Sequence, residues 1–230
     1  MSDAKYLAGQ GSFFGRRKGK GMKPRQADKL TTLLPRLQVD LTRPCDLATL
    51  FPRPLDGLVL EIGFGGGEHL VREALAHPRL GFLGVEPFVN GMAKMLTAID
   101  DHSIDTVRLS TTDATEVLSW LPESSVDIVY LLYPDPWPKT RHHKRRFVQD
   151  ATVEALARVL KPGGEFRFAS DIDHYSAWTL ARLMRSCDFT FTAQTAADWR
   201  TPWAGWQSTR YEAKAFREGR KATYLTFRRH

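Results

Sequence analysis

Only two cysteines, Cys45 and Cys187, occur in 230 residues. They make neither a disulfide framework nor metal-ligand spacing, so a packed core must supply the stability and a reducing, cytoplasmic setting is expected. No apolar run approaches the ~18 residues that a membrane helix needs, and the N-terminal stretch lacks an apolar leader-like segment. Internal repeats are lacking too. Acids are missing where bases are dense: residues 1–29 carry eight Lys/Arg against two acids, and Lys139–Arg146 carries five bases and no acid. Together these two segments exceed the net +7 of the whole chain, so the remainder is net acidic. Positive charge gathered on two segments of a mildly acidic body is the footprint expected for a polyanionic partner.

What is present has an alternating rhythm. Residues 1–29, with "GQGSFFGRRKGKGMKPR", hold little to bury and are expected to form a flexible basic arm; residues 30–230 form the domain. Short amphipathic helices are expected over "ADKLTTLLPRL" and "CDLATLF". From Leu58 onward, short apolar strands ("LVLEI", "LGFLGVE", "TVRLS", "VDIVYLL", "EFRFASD") alternate with helical segments, among them "EHLVREALA", "FVNGMAKMLTAID", "FVQDATVEALARVL" and "HYSAWTLARLMRSC". Pro162 and Gly163 are expected to stop the third of these. Such alternation predicts a doubly wound, mostly parallel α/β sheet. "DFTFTAQ" and "KATYLTFR" show no clear helix between them, so an antiparallel hairpin is expected at the C-terminal edge.

Ligands of such sheets bind beyond the carboxyl ends of the strands. Glu61 and "GFGGG" follow the first strand, and Gly63 and Gly65 there permit close approach of a ligand to bare backbone. Glu86 follows the second strand, 23 residues after Gly63, where a carboxylate can accept both hydroxyls of a ribose. Asp113 follows the third and Asp135 the fourth. A glycine loop with a later acid suits a dinucleotide as well as S-adenosylmethionine. Glu61 tilts the balance to the latter, because a carboxylate there tolerates a sulfonium better than two phosphates. The alternative role for Glu61, capping the next helix, suits Glu poorly.

The stretch "YPDPWPKTRHHKRR", Tyr133–Arg146, sets Asp135 between prolines. Pro134, Pro136 and Pro138 withhold backbone donors and fix φ, so the segment must be a stiff loop. A carboxylate held beside a purine stabilises the positive charge that alkylation of a ring nitrogen creates, and no base is needed to activate such a lone pair. Trp137 either stacks on a base or packs the loop.

"EIGFG", "GVEP", "PDPWPK", "RHHKRR", "KPGG" and "TRYE", in this order over about residues 58–228, resemble the bacterial tRNA (guanine-N7-)-methyltransferases. The resemblance implies a Rossmann-like methyltransferase sheet, S-adenosylmethionine as methyl donor and tRNA as partner, with guanine 46 of the variable loop the family's usual target. It implies that Glu61, Glu86, Asp113 and Asp135 surround the cofactor, with Asp135 catalytic. Lys139, Asp171 and Thr209, Arg210, Tyr211 and Glu212 would contact the guanosine, and Arg141, His142, His143, Lys144, Arg145 and Arg146 the RNA. Three departures stand out: Leu132-Tyr133 where Asn-Phe is usual, Thr140 in place of a second lysine, and the extra glycine of "GFGGG".

Competing assignments remain. Asp171 can instead cap the helix after it, Glu212 can pair with Arg210, and Trp199, Trp203 and Trp206 can pack a loop on the core. No metal is expected, since His142 and His143 are adjacent and flanked by cations. A catalytically weak RNA-binding protein, a small-molecule methyltransferase and a nicotinamide dehydrogenase are the alternative functions. Glu61 disfavours the last.

Overall fold

The computed structural model describes residues 15, 19 and 21–230; the remainder of the expected basic arm lies outside the described residues. The expected mostly parallel α/β sheet is present, with seven strands. The chain divides into two compact units at Pro122/Glu123.

In the first unit, helices α1 (Pro24–Thr32), α2 (Leu34–Leu37) and α3 (Leu47–Leu50) precede strand β1 (Gly57–Ile62). The boundary expected at residue 29 therefore falls inside α1. Its Lys29 pairs at 2.8 Å with Asp100 on helix α5 (Val89–His102). Helix α4 (Glu68–Ala76) links β1 to β2 (Leu80–Val85), α5 leads to β3 (Val107–Ser110), and α6 (Ala114–Trp120) follows. The three strands are parallel, with Ile62 opposite Val85 and Val85 opposite Ser110. Every carboxyl end thus reaches one edge, and the ladder continues there: Gly63 N–H donates to the Val85 carbonyl and Glu86 N–H to that of Ser110. Leu60, Leu83 and Leu109 are wholly buried, as strands covered on both faces require.

In the second unit, β4 (Val126–Leu132) is followed by a two-turn 3-10 helix, Thr140–Arg145, and by α7 (Asp150–Val159). A capping box between Gln149 and Thr152 starts α7. β5 (Leu160–Ser170) runs parallel to β4 and contains the "KPGG" turn, with Gly163 at φ +82°. Helix α8 (Asp173–Arg185) and the short β6 (Phe189–Phe191) come next. β7 (Thr223–Arg229) pairs antiparallel with both β5 and β6, giving the expected antiparallel edge. The connection before β7, where no clear helix was legible, holds helix α9 (Arg210–Arg217). It is only eight residues long and mostly polar, which leaves too few apolar positions to announce a helix in the sequence. Phe166, Phe168, Tyr175 and Phe227 are fully buried around β5 and β7, each contributing about 2–3 kcal/mol by burial.

Because Ser170 stands opposite Thr223, β7 starts where β5 ends. Residues just before β7 are thereby delivered to the carboxyl edge of β5, beside Asp171. No helix among the described residues is long and apolar enough to cross a membrane.

Candidate active site

The glycine loop of the first unit is a backbone cradle. Gly63, Gly65 and Gly67 adopt φ +72°, +59° and +82°, values that side chains resist. Glu86 fixes the loop from the neighbouring strand: one carboxylate oxygen accepts from Gly65 N–H at 2.7 Å, the other from Phe88 N–H at 2.9 Å. Gly91 is a site residue that the sequence pattern concealed inside a helix. A Cβ there would meet the Gly65 carbonyl oxygen at 2.1 Å, so only glycine lets α5 approach the loop. The one available signal was a poor helix former inside an otherwise regular helical run.

Glu61 is buried, and one of its oxygens lies 2.7 Å from His69 Nδ1 on α4. An ionised carboxylate only accepts, so His69 Nδ1–H donates. The capping alternative for Glu61 is not what the chain does: Gly67 is the N-cap of α4 and no side chain caps it. Asp113 caps α6, accepting from the backbone and hydroxyl of Thr115 at 2.9 and 2.8 Å. Three acids and bare left-handed backbone at one edge, with open space at the Gly63 Cβ position, fit a cationic sulfonium and ribose hydroxyls; phosphates would face like charge.

The second unit holds the proline-framed turn. Tyr133 and Trp137 both take left-handed φ, +49° and +41°, although each precedes a proline. Each such residue costs about 1–3 kcal/mol and persists only where its surroundings enforce it. Among the described residues no hydrogen bond or ion pair holds the Asp135 carboxylate. The turn is open to solvent there, yet the atoms crowding the carboxyl strip part of its hydration and push its pKa above the usual aspartate value.

Tyr133 is enforced through its ring. Its hydroxyl donates to the Glu212 carboxylate at 2.6 Å, and Tyr224 O–H and Trp206 N–H donate to the same group. Glu212 is 1% exposed. Burial by itself would raise its pKa, but the donors from Tyr133, Tyr224 and Trp206 outweigh it and hold the group below the ordinary glutamate value. Burial, with the same carboxylate beside them, pushes both tyrosine hydroxyls far up. The pairing of Glu212 with Arg210 is thereby displaced. Arg210 lies over the Tyr211 ring at 4.8 Å, and both are exposed. Thr209 is buried and caps α9, accepting from Glu212 N–H at 3.2 Å.

Asp171 accepts from Arg220 Nε at 2.5 Å and does not cap α8, whose N-cap is Ile172. Arg220, Glu212, Trp206 and Tyr224 line a cavity of about 620 Å³. Of the expected guanosine residues Glu212 lines this hollow, and Asp171 is linked to it through Arg220. Trp203 Nε1 donates to Thr226 on β7, and its ring packs edge-on against Trp206 and Tyr224, which is the packing role for the tryptophan cluster.

The basic run separates by exposure. Lys139, Arg141 and Lys144 are exposed. Lost hydration, then the cations around them, pushes His142 and His143 below the usual imidazole value. Arg145 lies over the Trp137 ring at 5.0 Å. Arg146, expected to grip RNA, is 2% exposed, with Nε and Nη2 hydrogen-bonded within the chain.

A family model described as a putative methyltransferase matches residues 56–225. The tRNA (guanine-N(7)-)-methyltransferase of Rhodopseudomonas palustris (strain BisB5) is 58% identical over 96% of this chain and 87% of its own. That of Rhizobium meliloti (strain 1021) is 56% identical over the full length of both. Among solved structures, an rRNA methylase from Streptococcus thermophilus superposes with a TM-score of 0.52 at 12% identity, over 76% of this chain and 89% of that one. TrmN from Thermus thermophilus does so with 0.53 at 14%, over 80% and 47%. These two share the fold; the sequence relatives decide the lineage. The chain belongs to the tRNA (guanine-N(7)-)-methyltransferase family.

Proposed function

We infer that the protein transfers a methyl group from S-adenosylmethionine to N7 of a guanine in tRNA, with guanine 46 of the variable loop as the target. When bound, the cofactor supplies an electrophilic methyl carbon on a sulfonium. Glu86 presents the Gly65 backbone to it, while Glu61, Gly63 and Asp113 complete its surroundings. The guanine N7 lone pair is free, so the chain has no proton to remove; its tasks are to orient the base and to stabilise the charge that the purine gains. Asp135 carries the second task. Its residue is exposed on the turn, and among the described residues no hydrogen bond or ion pair holds its carboxylate, so its field is not spent on its own chain. That is the observation on which the reading rests.

Lys139, Asp171 and the Thr209–Glu212 segment orient the guanosine. Within that segment Glu212 and Thr209 act by building the wall, since both are buried, and Arg210 and Tyr211 offer an exposed cation and ring. Arg141, Lys144 and Arg145 meet phosphates. A tRNA substrate sets this work in the cytoplasm.

The test is incubation with methyl-labelled S-adenosylmethionine and unfractionated tRNA, followed by nucleoside analysis. Label in 7-methylguanosine is the expected result. Cofactor binding with no transfer would mark an RNA-binding protein that has lost catalysis, and label on small acceptors alone would mark a different methyltransferase.

A further inference from the structure

The turn that carries Asp135 has little means of holding itself. Three of its residues are prolines without an N–H, and the two residues at left-handed φ pull against it. The restraint comes from the far end of the basic run. Arg146 Nε donates to the Pro136 carbonyl at 2.9 Å, one residue beyond Asp135. Its Nη2 donates to His174 Nδ1 at 3.0 Å, in the first turn of α8. The guanidinium carbon lies 4.9 Å from the ring centroids of both Tyr175 and Trp178, also on α8. Two neighbours act in the same direction: His143 hydrogen-bonds the Pro138 carbonyl, and Arg145 covers the Trp137 ring.

A cation kept for phosphate must reach solvent, as Lys139, Arg141 and Lys144 do. Arg146 is instead enclosed, with Nη1 buried and unpartnered. Burying a guanidinium costs several kcal/mol unless its hydrogen bonds are used well. The site keeps the cation for what its planar fork does: it joins a turn carbonyl to a helix and stacks between aromatic rings, which a lysine cannot imitate. We propose that Arg146 is a positioning residue for the methyl-transfer step, clamping the Asp135 turn to α8, and not one of the RNA-gripping cations. Because α8 begins just after Asp171, the same clamp ties the elements that carry Asp135 and Asp171 to each other.

The proposal rests on the methyltransferase reading, and the experiment separates their failures. Wild type, Arg146→Lys, Arg146→Ala and Arg141→Ala are compared for kcat, KM for tRNA and the salt dependence of tRNA retention. Arg146→Ala is expected to lower kcat by about 10–100-fold, the scale of a small misplacement at a reacting centre. Its KM and log–log salt slope stay at wild-type values. Arg146→Lys, which keeps the charge, follows Arg146→Ala. Added guanidinium chloride restores part of the kcat of Arg146→Ala, and sodium chloride of equal ionic strength does not. Arg141→Ala instead raises KM and lowers the salt slope by about one. If Arg146→Ala fails to fold, Arg146→Lys decides alone. The proposal is overturned if Arg146→Lys retains wild-type kcat, or if the Arg146 variants raise KM and lower the salt slope as Arg141→Ala does. A wild type that transfers no methyl to tRNA removes the functional reading itself.

Discussion

The carboxylates of the two units are put to different uses. Before Pro122, Glu61, Glu86 and Asp113 each commit at least one oxygen to their own chain: to a helix histidine, to two loop N–H groups and to a helix cap. After Glu123, one acid is taken to the extreme and another is left alone. Glu212 receives three ring donors, whereas among the described residues Asp135 has none. An acid whose lone pairs are filled by its own chain fixes a shape. An acid without such partners retains its interaction energy for something that arrives. The difference separates acids engaged by their own chain from one that is not.

The sharpest way to break that contrast is Asp135→Asn, which keeps shape and removes charge. It should cut kcat by about 100-fold or more while tRNA retention persists. Because the Asp135 pKa is raised, the acid limb of kcat against pH in the wild type should lie above the ~3.9 of a free aspartate. Full activity of Asp135→Asn would move Asp135 into the cradle-building group.

Glu86→Gln probes the opposite class. One of its two N–H partners, on Gly65 or Phe88, would then face an amide nitrogen, a mismatch worth about 2 kcal/mol. Calorimetry should show cofactor binding weakened about 30-fold, with tRNA retention unchanged; an unaltered Kd would mean that the loop holds itself.

Glu212→Gln should lower stability by about 2 kcal/mol, read as a Tm drop of about 4–8 °C. Its pKa is depressed in the folded chain, so the charged group stabilises above its unfolded pKa, and that stability is lost as pH falls through the folded value. The gap between wild type and variant should therefore be full at neutral pH and close in acid below about pH 4. A gap that does not change with pH would mean that the charge of Glu212 contributes nothing.

The smallest effect belongs to Thr209→Ala, which removes only the cap of α9. About 1 kcal/mol is expected, or roughly 2–4 °C in Tm. A collapse of activity without loss of stability would instead make Thr209 a direct substrate contact.

Much of the fold was legible because its signals are local. Apolar runs such as "VDIVYLL" and the glycines of "GFGGG" declare strands and a left-handed loop from immediate neighbours, and parallel strands must bring their following acids to one edge. Helix α9 escaped because "RYEAKAFR" is only eight residues long and mostly polar, burying only Glu212 and Ala215. Gly91 escaped because its constraint, the Gly65 carbonyl, comes from another element.

Sequence alone determined the strand-end acids, the stiff proline turn and the presence of five cations in eight residues. Which of those cations face outward was decided only in three dimensions, as was the fate of Glu212. Arg146 is enclosed by Tyr175 and Trp178, and Glu212 by Tyr133, 79 residues away along the chain. Burial depends on what other elements bring to a position, and hydration, hence the work a charge can do, follows burial.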